Sequence, residues 1–507
     1  MTKINADQFS LADLRKAYMA PTSVDLSEER LHEIKRAQQT ILDIVDNNRT
    51  VYGVNTGFGL LASNSIPQEK LSELQVNLLL SHSAGVGKPL SDDVVRLSMV
   101  LKLLSLSQGH SGVQMAVIDG LNALLRAEIY PFIPEKGSVG ASGDLAPLSA
   151  MAAVLIGVGK VHHKGQLLSA KEGLEIAGVD PVDLGPKEGL ALINGTQISN
   201  ALAMSAYFKI ENILAAALVA GALTVDAALG SDTPFDDRIH KVRGQVGQRN
   251  VAAVYRDLLA GSEIRHSHEN CDRVQDPYCL RCQPQVMGAA LDFVEFSGTI
   301  LERESRAVSD NPVVFPDEGD VLSGGNFHAE PVALAADNLA IALTEIGNIS
   351  ERRISMLMDK NMSQLPAFLV EDSGVNSGFM IAQVTAAALA SENKQMAHPG
   401  SVDTIPTSAN QEDHVSMATH SARRLHDMAE NAASIVAVEF LSAAQGVDFR
   451  APLKTSDALQ KVHGMIREKV PHYTKDRVFT DEIEALRDMI LAGDFNQFVG
   501  TVLPSQN

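Results

Sequence analysis

Apolar residues recur at helical spacing along most of the chain, and the texture of the sequence changes near residue 200. Before that point, short helical stretches alternate with turns rich in Gly, Asn and Pro. The stretch SEERLHEIKRAQQTILDIVD predicts a helix that begins after Ser27, because serine suits the N-cap position and acidic residues suit the first turn. The apolar stripe of this predicted helix consists of Leu31, Ile34, Ile41 and Val45.

From about Asn200 onward, Ala-rich segments predict long helices separated by polar, Gly-rich loops. Several of these segments are apolar on more than one face, which a lone surface helix does not tolerate. We therefore expect a mainly α fold with a long central helical bundle, buried by other helices or by other subunits. The expected division is a loop-rich N-terminal region, residues 1–199, and a region of long bundle helices and C-terminal helices, residues 200–507.

The composition is compatible with a mainly helical fold and argues against some classes of binding partner. The 507 residues are 45% apolar and only 5% aromatic, without tryptophan, so the predicted core consists of aliphatic side chains and Met. The net charge of −20 argues against general binding to nucleic acid or to an anionic membrane, because the field of the protein repels phosphates. A soluble enzyme is the expected class.

The sequence favours a cytoplasmic location. The first residues, MTKINADQFSLADLRKAYMAP, include acids and lack the apolar core of a secretion signal. The most apolar run, ILAAALVAGALTV, is too short by itself to cross a bilayer, so no membrane span is predicted. All three cysteines fall between Cys271 and Cys282, and without an export signal a disulfide framework is not expected.

The most unusual chemistry falls in loops between the predicted helices. Taken singly, each loop has an ordinary interpretation: glycines at tight turns, His82 satisfied in a core, Asn194 as a helix cap, and the acidic residues before His414 as the first turn of a helix. The loops are YGVNTGFG at 52–59, SHSAG at 81–85, GSVGASGDLAP at 137–147, LINGTQ at 192–197, QDPYCLRCQP at 275–284, GGNFHAEP at 324–331 and ANQEDH at 409–414.

Three common chemistries fit these loops poorly. There is no phosphate-binding G-x-x-x-x-G-K-[ST] motif, and Ser142 lies in GASGD rather than in a G-x-S-x-G nucleophile elbow. The segment HSHENCDRVQDPYCLRC offers metal ligands, but the second ligand pair of a zinc fold is missing. No metal site is therefore predicted. The candidate zinc ligands in that segment are His266, His268, Cys271, Cys279 and Cys282.

The triplet Ala141-Ser142-Gly143 favours chemistry made from the backbone itself. Attack of the Gly143 nitrogen on the Ala141 carbonyl closes a five-membered ring, and loss of water, including the Ser142 hydroxyl, leaves an exocyclic methylidene carbon. Gly143 lacks a Cβ that would block the close approach, and the flanking glycines permit the compressed turn. The product is an electrophile that no encoded side chain supplies.

At this triplet the chain resembles the aromatic amino acid ammonia-lyases that use 4-methylideneimidazole-5-one, and the resemblance extends through all seven loops. It implies a fumarase/aspartase-like helical architecture. It also implies that this prosthetic group is formed from Ala141, Ser142 and Gly143, with no external cofactor. SHSAG with His82, QDPYCLRCQPQ, and NQEDH with Glu412 point to L-histidine as the substrate and trans-urocanate as the product, the first step of histidine degradation.

The resemblance implies a role for each remaining residue. Tyr52 removes the β-proton, and Arg281 binds the substrate carboxylate, because a guanidinium matches a carboxylate with two parallel hydrogen bonds. His82 and Glu412 give the imidazole polar partners, which an analogue with a phenyl ring would leave unsatisfied. The residues expected to support the ring and orient the substrate are Asn194, Gln275, Tyr278 and Phe327.

The resemblance further implies a homotetramer in which loops from three subunits build each active site. In this arrangement Tyr52, His82 and the ring at 141–143 come from one chain, and Tyr278 and Arg281 come from another. The wide apolar surface of the predicted bundle helices agrees with burial by partner subunits.

Other functions remain open at this point. A tyrosine or phenylalanine lyase of the same family would share the electrophile, and an aminomutase would share it but retain the ammonia. A helical scaffold with a zinc loop would bind metal and form no ring. A lyase of the fumarase type would carry a G-S-S-x-M-x-x-K-x-N segment, which this sequence lacks.

Overall fold

Helices dominate the computed structural model, which describes residues 1–59, 63–269 and 274–506. The helices, α1 to α20 in order, are Leu11–Met19, Glu28–Asp46, Leu71–His82, Asp92–Leu106, Met115–Arg126, Leu145–Ala153, Ala170–Ala177, Glu188–Ile193, Gln197–Ala227, Asp237–Arg243, Val246–Leu259, Glu263–His266, Tyr278–Arg281, Gln283–Ser305, Glu330–Met358, Lys360–Ser363, Met380–Met396, Ala418–Asp448, Asp457–Lys469 and Thr480–Ala492. The predicted mainly α fold with long helices is confirmed.

The strands of the described residues are short. In order, β1 to β9 are Thr2–Asn5, Thr22–Asp25, Val86–Pro89, Tyr130–Pro131, Pro134–Lys136, Lys160–His163, Gln166–Ser169, Val313–Phe315 and Asp320–Leu322. Strands β1 and β2 pair in parallel, whereas β3 with β5, β6 with β4 and β7, and β8 with β9 pair antiparallel. These small sheets were not predicted from the sequence.

Helix α2 begins where the sequence pattern predicts. The Ser27 side chain accepts a hydrogen bond from the backbone N–H of Arg30, so it satisfies one of the free amides of the first turn. Ile34, Ile41 and Val45 of the predicted stripe are buried. This helix packs its apolar face into a core that includes Val54, just beyond Tyr52.

The chain divides into two compact units, each built from three segments. The first unit comprises residues 1–205, 298–337 and 399–423, and the second comprises residues 206–297, 338–398 and 424–507. Four of the five unit boundaries fall inside the long helices α9, α14, α15 and α18, and the fifth, between residues 398 and 399, follows α17. All nine strands of the described residues belong to the first unit. The domain boundary predicted after residue 199 stays a prediction.

Two of the long helices are apolar enough to resemble membrane spans. By length and composition Gln197–Ala227 and Glu330–Met358 could cross a bilayer, but 94% and 72% of their most apolar windows are buried inside the protein. Such burial is expected of core helices. Helix α9 extends beyond the apolar run ILAAALVAGALTV on both sides, so the helix is long enough to span a bilayer although the run alone is not.

A buried ion pair joins the long helices within the second unit. The guanidinium of Arg353 on α15 donates two hydrogen bonds to the carboxylate of Glu439 on α18, with nitrogen to oxygen distances of 2.5 and 2.7 Å. Thr224 on α9 also donates to this carboxylate, and Gln283 on α14 accepts a further bond from Arg353. Both charged side chains are fully buried, so removal of either partner would leave an uncompensated charge.

Candidate active site

Most of the predicted site residues line one cavity in the first unit. Its volume is about 950 Å³, and its walls come from loops that are far apart in the sequence. Function is commonly carried on such loops, held by a rigid framework of helices. The predicted residues that line this cavity are Tyr52, His82, Ala141, Ser142, Asn194, Phe327 and Glu412.

The backbone of the Ala-Ser-Gly triplet is folded into a turn that requires glycine at its end. Gly143 has a φ of +74°, in the left-handed region that side chains disfavour. It also forms a β-bridge with Gly195, and a Cβ on Gly143 would lie 2.1 Å from the Gly195 carbonyl oxygen. Ala141 is buried, whereas Ser142 is half-buried at the cavity wall. Position 143 therefore accepts glycine and no larger residue without strain.

The carboxylate of Asp144 anchors this turn. One of its oxygens accepts hydrogen bonds from the hydroxyls of Ser138 and Thr419, at 2.9 and 2.7 Å. The other accepts from the backbone N–H and the hydroxyl of Ser199, at 2.7 and 2.8 Å. Because Asp144 is completely buried, these four donors replace its lost hydration. Sequence analysis gave Asp144 no role, although its position directly after the triplet was the available signal.

Glu412 lies against the triplet. The Ser142 hydroxyl donates a hydrogen bond to one Glu412 oxygen over 2.6 Å, and the Thr407 hydroxyl donates to the other oxygen, also over 2.6 Å. A backbone hydrogen bond between Thr407 and Glu412 closes the short loop between them. The loop therefore places a carboxylate where it contacts both the triplet and the cavity.

His82 is the last residue of helix α3, and one of its ring nitrogens lies within hydrogen-bonding distance of a backbone carbonyl oxygen. Its Nδ1 lies 2.9 Å from the Leu78 carbonyl oxygen, which can only accept, so Nδ1 carries the proton. In the neutral ring Nε2 is then the acceptor nitrogen. The ring is half-buried and lines the cavity, which distinguishes it from a histidine satisfied in a core.

Tyr52 shares the cavity wall with His82. The backbone N–H of Gly59 points to the phenol oxygen of Tyr52 over 3.4 Å, which is long for a hydrogen bond. Contacts of this kind often tighten only when substrate is bound. Phe327 lines the same cavity and is half-buried.

Asn194 is held by one hydrogen bond from its side chain and one to its backbone carbonyl. Its amide nitrogen donates to the Asn311 carbonyl over 3.1 Å, and its own backbone carbonyl accepts a 2.6 Å hydrogen bond from the ammonium of Lys102. The side-chain oxygen of Asn194 is buried and has no hydrogen-bond partner among the described residues. Complete burial lowers the pKa of Lys102 to about 7.

The remaining predicted residues belong to the second unit. Gln275 and Arg281 line a different cavity of about 460 Å³, and Tyr278 is 70% exposed. The Arg281 guanidinium lies 4.5 Å from the centre of the Tyr278 ring. Its Nε is buried without a hydrogen-bond partner in the described part of the chain. None of these three residues is among those that line the first cavity.

The segment considered as a zinc loop does not gather its ligands in the residues that are described. His266 pairs with Glu269, and both ring nitrogens of His268 lie within hydrogen-bonding distance of backbone carbonyl oxygens. Cys271 lies outside the described residues. Within the described ranges, the segment contributes no group of three metal-binding side chains.

Comparison with known proteins identifies the family of this chain. The family model for aromatic amino acid lyases matches residues 9–468. A histidine ammonia-lyase of Pseudomonas fluorescens (strain SBW25) is 58% identical over 500 residues, which cover 98% of each chain.

Solved structures extend the comparison. The crystal structure of histidine ammonia-lyase from Trypanosoma cruzi is 40% identical, with a TM-score of 0.91, and the match covers 99% of this chain and 96% of that one. Tyrosine aminomutase from Streptomyces globisporus is 34% identical, with a TM-score of 0.92 and 98% of each chain covered. The prediction of an ammonia-lyase is thereby confirmed, and the chain belongs to the aromatic amino acid lyase family.

Proposed function

We propose that the protein eliminates ammonia from L-histidine to give trans-urocanate. The observation that carries this proposal is the cavity lined by Tyr52, His82, Ser142 and Glu412, which brings polar groups suited to an imidazole together with a residue of the Ala-Ser-Gly triplet. The 58% identity to a protein named histidine ammonia-lyase supports the choice of substrate. A phenyl ring in the same position would leave the acceptor nitrogen of His82 without a partner and would offer Glu412 no hydrogen bond, and sites built around such polar groups discriminate strongly.

The prosthetic group of the family, 4-methylideneimidazole-5-one, is proposed to form from Ala141, Ser142 and Gly143. Ring closure joins the Gly143 nitrogen to the Ala141 carbonyl carbon and releases one water, and Ser142 loses its hydroxyl with its α-hydrogen as a second water. The left-handed conformation of Gly143 and its tight contact with Gly195 fit this group. When formed, the group supplies an electrophilic carbon that assists the departure of the substrate amine.

The chain's own residues bind and orient the substrate. Tyr52 is proposed as the base for the β-proton, with the Gly59 N–H available to stabilise negative charge on the phenol oxygen. The free Nε2 of His82 accepts a hydrogen bond from the substrate imidazole, and Glu412 supplies a charge-assisted partner. Asn194 contributes its unpaired side-chain oxygen, and Phe327 covers the apolar part of the site.

Arg281 is proposed to bind the substrate carboxylate, although it lies in the second unit. Its buried Nε has no partner among the described residues, and a carboxylate would satisfy it. Gln275 and Tyr278 lie in the same segment. We propose that this segment reaches the site of another subunit in a homotetramer, so that each site is assembled from three chains. Two exposed phenylalanines on α14, Phe293 and Phe296, support burial by a partner chain.

Formation of the prosthetic group changes the mass of the intact chain. We expect the purified protein to be lighter than its encoded mass by two water molecules. Ser142→Ala should lose only the water of ring closure, because no hydroxyl remains to leave. Gly143→Ala should lose none, since a Cβ would lie 2.1 Å from the Gly195 carbonyl oxygen. Intact-protein mass spectrometry checks all three masses, with circular dichroism as the control for folding, and an active enzyme of encoded mass would contradict the proposal.

Substrate selectivity should depend on His82 and Glu412 together. We expect the double variant His82→Leu/Glu412→Gln to lose roughly 100-fold or more in kcat/KM for L-histidine, because each lost polar contact removes ~1–3 kcal/mol of stabilisation. Steady-state kinetics with L-histidine and L-phenylalanine measure the change. The matched control is His32→Leu/Glu69→Gln, at two exposed positions outside the cavity. Near wild-type histidine turnover in the first variant would show that the selectivity assignment is wrong.

A site shared between subunits predicts complementation. We expect Tyr52→Phe and Arg281→Ala enzymes to be nearly inactive separately and to recover part of the activity after unfolding and refolding together. Recovery occurs because some mixed sites receive both intact residues. Refolding each variant alone is the control, and native mass spectrometry verifies that mixed tetramers form. Mixed tetramers without recovered activity would refute the shared site.

A further inference from the structure

Three side chains that could bind a metal ion lie close together beside the first cavity. The proposed reaction gives none of them a role. They are His328, Glu330 and His414. One potential ligand atom from each lies within 4.8 Å of the other two. His328 and His414 also line the cavity. Because the two histidines are 86 residues apart in the chain, no local motif relates them.

The hydrogen bonding of His328 leaves a lone pair for a metal. Its Nε2 lies 3.1 Å from the backbone carbonyl oxygen of His414. A carbonyl oxygen can only accept, so Nε2 donates its proton, and Nδ1 of the neutral ring is left unprotonated. Metal-binding histidines are commonly oriented in this way, with the second ring nitrogen donating to a carbonyl or carboxylate.

Glu330 offers a carboxylate oxygen that lacks a partner. This residue is the first of helix α15, where a negative charge is favourable for the helix. Its Oε2 is nevertheless buried, and it has no hydrogen-bond partner among the described residues. A buried carboxylate oxygen without a partner is costly, and a bound cation would supply the missing interaction.

We propose that His328, Glu330 and His414 bind one zinc-like divalent cation at the wall of the cavity. Two imidazole nitrogens and one carboxylate oxygen form a ligand set typical of zinc, with the fourth tetrahedral position open. Zinc ligands at ~2.0–2.2 Å from the metal lie roughly 3.4 Å from one another. Side-chain movements of about 1 Å would bring the three ligand atoms to that separation. The cation joins the loop that carries Phe327 to the loop that carries Glu412.

Zinc titration without substrate tests this site independently of the elimination reaction. The purified enzyme is dialysed against EDTA and then against metal-free buffer, and Zn²⁺ binding is followed by calorimetry. Co²⁺ serves as a second probe, because tetrahedral coordination gives intense visible absorption. We expect one ion per chain, and we expect Glu330→Gln and His414→Asn each to weaken binding by about 100-fold or more, beyond the effect of losing an outer partner.

Two matched controls separate this site from other ligands in the chain. His266→Asn removes an exposed histidine that already pairs with Glu269, and Cys279→Ser/Cys282→Ser removes the two described cysteines. Both controls should bind Zn²⁺ as the wild type does. His414 is exposed and lies outside any helix, so His414→Asn keeps the test valid if Glu330→Gln folds poorly by circular dichroism.

The outcomes decide the proposal. Loss of binding in His414→Asn, with retention in the two controls, supports it. Absence of Zn²⁺ binding in the wild type overturns it. Wild-type affinity in His414→Asn also overturns it, as does binding that disappears only in Cys279→Ser/Cys282→Ser.

Discussion

The buried carboxylate of Asp144 is the constraint on which the geometry of the site depends. It follows the Ala-Ser-Gly triplet directly and accepts hydrogen bonds from Ser138 in the same loop, from Ser199 on α9 and from Thr419 on α18. A buried anion cannot move away from its donors without losing several hydrogen bonds at once. The triplet is therefore fixed to the first turns of two long helices, and its Gly143 is held against Gly195.

The loops also place Glu412, which is proposed to select the substrate, in contact with Ser142 of the triplet that is proposed to form the electrophile. Glu412 accepts hydrogen bonds from Ser142 and Thr407 and also lines the cavity. A change at the triplet therefore alters the contacts of the residue that is proposed to bind the imidazole. Lys102 donates a hydrogen bond to the backbone carbonyl of Asn194, which lines the same cavity. Few of these contacts are local, because the loops that meet at the cavity are separated by tens to hundreds of residues. Long helices make such a meeting possible by fixing where each loop begins and ends.

The features that could be predicted from the sequence are those that depend on interactions within one segment of the chain. The N-cap at Ser27 and the Ala-rich long helices follow from patterns within one segment, and both are found in the structure. The strands were missed because they contain at most four residues each in the described ranges, and some of them pair with strands far along the chain, as Val86 does with Lys136. Seven predicted residues meet at one cavity, but the anchoring role of Asp144 and the cluster around His328 depend on contacts that no spacing reveals. The roles assigned to the site residues stay predictions.

The stoichiometry of the products tests whether the protein eliminates ammonia from L-histidine. Purified enzyme is incubated with L-histidine, trans-urocanate is followed by its ultraviolet absorption, and free ammonia is measured in the same sample. We expect one ammonia to be released for each urocanate formed. Consumption of histidine to a β-amino acid without ammonia, or no consumption of histidine at all, would contradict it.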